Sequence, residues 1–248
     1  MKKIFRPCIL LALVLILPIS ASGYIPSAHF IIKMMLEGNG AIDHVMVEQT
    51  AIIFDEDSGG EALRVPGVLY LKLPDGYRLD MTLPYEKKTS IYRKGEIFTI
   101  VDGEIVSRGP DRRALFKDFL IRHSVNRIMG LLRSKHVNIE RTGLGRFGGK
   151  VSYIIGAGET ETEFPQLWIE KDSFLPLRFV AKEKREESIV TVEVRYLDYR
   201  HIDDKFRYPS TIEFYADDKL TLRYQTEKVM VNTSMPDNVF DMKKLIIK

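Results

Sequence analysis

Between residues 189 and 199 the side chains alternate with hardly a break. Val190, Val192, Val194 and Tyr196 fall on one side; Thr191, Glu193, Arg195 and Leu197 fall on the other. A period of two marks a strand with two chemically different faces. The same pattern recurs along 45–54, 77–82 and 220–231, punctuated by turn-forming groups such as Pro74-Asp75-Gly76, Asp102-Gly103, Lys171-Asp172-Ser173 and Asp217-Asp218. About eleven strands joined by such short turns leave no room for crossover helices, so the sheet they form is antiparallel. One block departs from this. From 112 to 135 there is no proline and a single glycine, and Leu115, Phe116, Phe119, Leu120, Val125, Ile128, Met129, Leu131 and Leu132 recur at three- and four-residue spacing. That spacing predicts one long helix, or two with a bend near Gly130. A shorter helix is predicted over 29–36, with Phe30, Met34 and Met35 at helical spacing and Gly38-Asn39-Gly40 as its stop.

These elements predict an α+β, mainly β fold: a strongly curved, open antiparallel β-barrel with helices covering the concave face. Such a sheet is too wide for its own inward side chains to fill, so the helices must cover it. Periodicity alone allows two arrangements, a dry packed core or a helical lid over an apolar cavity.

The first 23 residues are predicted to be a signal peptide and 24–248 a single domain. Lys2, Lys3 and Arg6 precede a short apolar run from 9 to 17, and Ala21-Ser22-Gly23 supplies small residues at the cleavage position. This segment holds three of the 37 Lys+Arg and none of the 34 Asp+Glu, so the remainder carries 34 of each. Balanced charge argues against nucleic acid as a partner. The single cysteine is Cys8, ahead of the apolar run, which leaves the exported part without a disulfide or a thiol nucleophile. Export to the periplasm is the expectation, with the chain acting as a monomer.

Motifs for chemistry are weak. Gly143-Leu144-Gly145-Arg146-Phe147-Gly148 matches GxGxxG, but a helix precedes it and a strand follows, the reverse of a dinucleotide site. It reads as a flexible turn. His29, His44, His123, His136 and His201 show no metal-ligand spacing, and His123 and His136 are expected on a helix surface. No serine sits in a nucleophile elbow. Glu193 and Glu213 fall at outward strand positions and are expected to be solvated, as is the charged run 182–187. The chain is expected to be no enzyme, with no catalytic residue, metal or cofactor.

Gly67–Pro84, GVLYLKLPDGYRLDMTLP, resembles the strand, Lys-x-Pro, strand segment of LolA-like lipoprotein-sorting proteins. The stretches YLDYRHIDDKFRYPSTIEFY and VMVNTSMPDNVFDM resemble the C-terminal part of the same family. The resemblance implies a periplasmic carrier. Its cavity would shield the acyl chains of a lipoprotein or lipid bound for the outer membrane, between an inner-membrane donor and an outer-membrane acceptor. Placing the segment in register puts Leu69, Leu71 and Leu73 on the inner face. Alternation adds Leu79, Met81, Phe179, Val192, Val194, Phe214 and Leu222, and the lid adds Phe119, Ile128 and Leu132. The family's arginine before the proline, which helps hold the lid closed, is Leu73 here. The alternative within the same fold is a periplasmic sensor module that binds a regulatory partner.

Overall fold

The computed structural model describes residues 25–38, 42–73, 76–93, 96–109, 115–121, 123–185, 188–204, 206–233, 235–236 and 238–246. The expected signal peptide lies outside them. Helix α1 (Ala28–Glu37) opens the chain, with Ser27 as its N-cap. Six strands follow: β1 (His44–Phe54), β2 (Glu61–Lys72), β3 (Gly76–Thr82), β4 (Lys87–Arg93), β5 (Glu96–Val101) and β6 (Glu104–Gly109). Helices α2 (Leu115–Asp118) and α3 (Val125–Ser134) interrupt them. Seven more strands complete the sheet: β7 (Thr142–Phe147), β8 (Lys150–Ile155), β9 (Gln166–Glu170), β10 (Pro176–Arg185), β11 (Ser188–His201), β12 (Arg207–Ala216) and β13 (Lys219–Val231).

All thirteen strands form one curved antiparallel sheet in the order β6-β5-β4-β3-β2-β1-β13-β12-β11-β10-β9-β8-β7. It consists of two meanders, β1–β6 and β7–β13, fused where β1 pairs with β13. The strands β6 and β7 are its two edges. The chain therefore leaves the sheet at one edge, passes through α2 and α3, and re-enters at the other. The expected open β-barrel with helices is present, with more strands than the turn signals alone suggest.

The extra pairing comes partly from the GxGxxG stretch, which is a strand and not a flexible turn. Gly143 to Phe147 belong to β7, and Gly148 and Gly149 form its hairpin turn to β8, at φ +56° and +80°. Gly145 is needed for packing: a Cβ there would lie 2.8 Å from Ile154 Cδ1 and 3.0 Å from Trp168 Cη2. The helical block also differs from expectation. One helix ends at Asp118 and a new one starts at Val125, with no bend at Gly130, because Ser124 caps the new helix by accepting from Arg127 N at 3.2 Å. Gly130 is exposed and inside α3, where a Cβ would meet nothing within 4 Å.

One apolar cluster runs through the molecule. Alternate residues of the strands face it, including Val45, Val47, Leu69, Leu71, Tyr77, Leu79, Tyr196 and Ile212. From the helices, Ile31, Ile32, Met35 and Leu36 of α1 and Ile128, Met129 and Leu132 of α3 enter the same cluster. Phe30 of α1 faces outward, 45% exposed. A small second cluster on the opposite face joins Ile154, Trp168 and Leu177.

Candidate functional site

The interior is the candidate site, and its walls follow from strand parity. Leu69 and Leu71 of β2, Leu79 of β3, Phe179 of β10, Val194 of β11 and Leu222 of β13 are buried, as are Phe119, Ile128 and Leu132 from the helical side. Leu73, Met81, Val192 and Phe214 are partly buried against the same cluster. Every lining residue named from sequence thus lies in or against one apolar cluster. The rings of Phe119 and Phe179 meet at 5.0 Å, directly joining the helical cover to the sheet. In this state the helices fill the concave face.

Polar groups hold the cover down. Lys117 is buried, its ammonium 4.9 Å from the Tyr77 ring of β3 and 5.1 Å from the Tyr92 ring of β4. Lys135, just after α3, lies 3.6 Å from the buried Glu183 of β10. The charged run is therefore not wholly solvated: Glu183 points inward, while Lys182 and Lys184 are exposed. The His123 side chain is only 2% exposed, with Nε2 3.0 Å from Asp118 Oδ1. It does not lie on a helix surface, because it folds into the break between α2 and α3. His136 is exposed, as expected. Leu73 has no guanidinium with which to latch the cover, but its N–H donates to the Asp43 carbonyl at 2.9 Å and fixes the end of β2.

Several buried polar groups inside the sheet are unusual. Gln49 of β1 occupies the inward parity of Val45, Val47 and Ala51, and neither of its amide atoms has a hydrogen-bond partner among the described residues. Tyr208 of β12 is 1% exposed, and its hydroxyl is likewise unpartnered among the described residues. Burial pushes the phenols of Tyr196 and Tyr208 well above the ordinary tyrosine range. An unsatisfied buried group costs about 1–3 kcal/mol. The apolar wall residues named from sequence leave out Gln49, although its signal is present: a polar residue in the inward register of 45–51.

The convex face carries a second set of charges. Glu193 and Glu213 do point outward, yet they are only 5% and 6% exposed. Glu193 accepts from Arg178 at 2.7 Å and also from Arg195. Glu213 accepts from Arg223 at 2.8 Å. The Arg195 guanidinium lies 4.0 Å from the Tyr215 ring centre and so covers these carboxylates. They are not solvated because flat arginine and tyrosine side chains lie across them. Burial would raise the Glu193 carboxyl, but the bonds from Arg178 and Arg195 outweigh it and hold the group below its ordinary range.

Elsewhere on the surface, a cleft of about 590 Å³ is lined by Glu37, Gly38, Asp172, Ser173, Leu175, Asp204 and Arg207, mostly polar. Among the described residues, no group of three His, Cys, Asp or Glu side chains could hold a metal ion. No described helix is long and apolar enough to cross a membrane.

Solved structures share this architecture. The fold is LolA-like. A domain described as outer membrane lipoprotein-sorting, from Vibrio parahaemolyticus, superposes with a TM-score of 0.60 at 13% identity, covering 88% of this chain and 97% of its own. A LolA superfamily protein from Nitrosomonas europaea gives a TM-score of 0.58 at 11% identity, covering 87% of this chain and 98% of its own. A DUF1329 family protein from Desulfovibrio piger gives 0.58 at 14% identity, covering 88% and 97%. At these identities the likeness is one of fold. No family model matches the sequence, and no curated protein matches it.

Proposed function

We propose that this chain is a periplasmic carrier that shields the acyl chains of a lipoprotein or lipid on its way to the outer membrane. The observation that supports this most is the position of the cover. Helices α2 and α3 form the connection between the edge strands β6 and β7, and α3 and the residues Phe119, Leu120 and Ile121 after α2 pack on the apolar face of the sheet. They can swing away without breaking a single ladder bond of the sheet. The likeness in fold to an outer membrane lipoprotein-sorting domain points the same way.

The energetics fit reversible loading. Burying an acyl chain is worth about 0.8 kcal/mol per CH₂, so a long chain offsets what the cover gives up on opening. Among the described residues the cover is held by a lysine between two tyrosines, the Lys135–Glu183 ion pair, the apolar face of α3 and the buried Phe119, Leu120 and Ile121 that follow α2. The carrier performs no chemistry in this reading; donor and acceptor proteins at the two membranes supply direction. Native mass spectrometry with lipid extraction on protein recovered from its own periplasm tests it. A stoichiometric acylated species supports the carrier. A bare mass that takes up neither lipopeptide nor phospholipid rejects it in favour of a partner-binding sensor module.

A further inference from the structure

We propose that Gln49 and Tyr208 form a polar anchor on the inner face of the sheet, beneath the helical cover, that hydrogen-bonds the ester or amide carbonyl heading an acyl chain when the cover lifts. This rests on the acyl-binding reading above and says which part of the cargo is recognised, and where.

Both side chains are buried on the inward face, and both have polar atoms without any hydrogen-bond partner among the described residues. Buried amides and phenols are almost always paired, so two orphans on one face call for a missing partner. They sit on β1 and β12, the two strands flanking β13. Adjacent strands lie about 4.8 Å apart, so the two backbones are separated laterally by about 10 Å. The register sets Tyr208 two residues along β12 from the position level with Thr226 and Gln49, so a guest carbonyl reached by both long side chains would lie obliquely between them. On β13, Thr226 pairs with Gln49 and its hydroxyl already donates to the Pro209 carbonyl at 2.9 Å. It is occupied, and the orphans are not.

The neighbours define the chemistry of the guest. Around Gln49 the paired positions are Thr226 and Gly67, with Ala51 paired to Tyr224 and Val65 on the next inward row. All are neutral; the cation beside them, Arg200, is paired with Tyr208 and exposed, and its guanidinium donates to the Thr226 carbonyl at 2.5 Å, so a buried carboxylate in the inward row of Gln49 would compete with that bond for its charge. A neutral carbonyl suits a carboxamide N–H and a phenol O–H, which can both donate to it. Apolar walls on either side, Val47, Leu69 and Ile212, suit the hydrocarbon attached to it. Ester-linked phospholipid and acylated lipoprotein both present this group.

The test compares two pyrene-labelled probes of equal chain length, a fatty acyl methyl ester and the corresponding alkane. They are titrated against the exported wild-type chain and against Q49L/Y208F. The substitutions keep volume and remove only orphaned polar atoms, so the variant is expected to fold with unchanged or higher stability. Wild type should bind the ester about tenfold more tightly than the alkane, and the variant should bind both as wild type binds the alkane. Equal binding of both probes by wild type, or undiminished ester preference in the variant, overturns the anchor while leaving acyl binding intact. If neither probe binds wild type, the acyl-binding reading and the anchor fall together. Repeating the pair with a diacyl phospholipid and an N-acylated lipopeptide identifies the source: the one whose affinity falls in the variant is the one held at the anchor. Undiminished affinity for both overturns it.

Discussion

Glu193 shows how much a convex surface residue can contribute when its neighbours lie flat. Its carboxylate is shared by Arg178 of β10 and by Arg195 of its own strand. The Arg178 side chain is 12% exposed, so the pair is largely out of water. Removing one partner of such a pair strands the other charge, at a cost of about 3 kcal/mol. Glu193→Gln is therefore expected to lower unfolding stability by about that amount at neutral pH, measured by urea denaturation. The pH dependence follows from the depressed carboxyl. Its stabilisation is fully present above the ordinary value of 4.5 and is lost as the pH falls through the folded-state value. Wild type should thus lose its advantage over Glu193→Gln in acid, and an advantage that persists unchanged there would mean the ion pair is not its source. The alternation of 189–199 correctly puts Glu193 outward, but burial depends on which side chains cross it, and period-two patterning is silent on that. The same limit applies inside: parity places Gln49 inward, but only three-dimensional packing reveals that no described residue answers its amide.

At the scale of elements, the sheet is legible in the sequence and the cover only partly so. Turn residues and alternation fix the strands because each signal is local: Asp102-Gly103 adopts φ 46° and 89°, the left-handed pair expected of a tight hairpin. The apolar spacing of 115–132 runs across the break between α2 and α3, because Phe119, Leu120 and Ile121 are buried in the turn as fully as helix residues would be. Burial keeps the spacing apolar even where the helix stops, which makes Ser124 as an N-cap the more telling signal. The short α2 depends on tertiary packing, since a single turn has no stability of its own. Lys117 between Tyr77 and Tyr92 provides one such tie. A double-mutant cycle with Lys117→Met and Tyr92→Leu should return a coupling of about 1 kcal/mol. Each single variant should also speed amide exchange in α2. Zero coupling in urea denaturation would show that the stacked lysine is incidental to holding the cover.

For the whole molecule, the arrangement of edges decides which motions are cheap. Opening the fused β1–β13 seam would break a ladder running from Val45↔Val231 to Ile53↔Leu222 and split the shared core. Lifting the α2–α3 connection breaks none of it, and frees apolar surface that a guest chain can cover at once. Local opening follows the elements that bury the least apolar surface and hold the fewest hydrogen bonds to the rest. Helix α1 packs against α3 and shares the core with it, so it should respond to the same motion, but less, because it buries Ala28, Ile31, Ile32, Met35 and Leu36 where α3 buries only Ile128, Met129 and Leu132. Hydrogen–deuterium exchange, read by peptide mass with and without a saturating acyl probe, separates these motions. Loading is expected to speed exchange across α2 and α3, change α1 modestly, and leave β1 and β13 as slow as in the empty chain. Uniform slowing throughout would instead describe a guest bound to the closed surface. Faster exchange in β1 and β13 would mean that the sheet itself opens, and the connection between its edges would then be no lid.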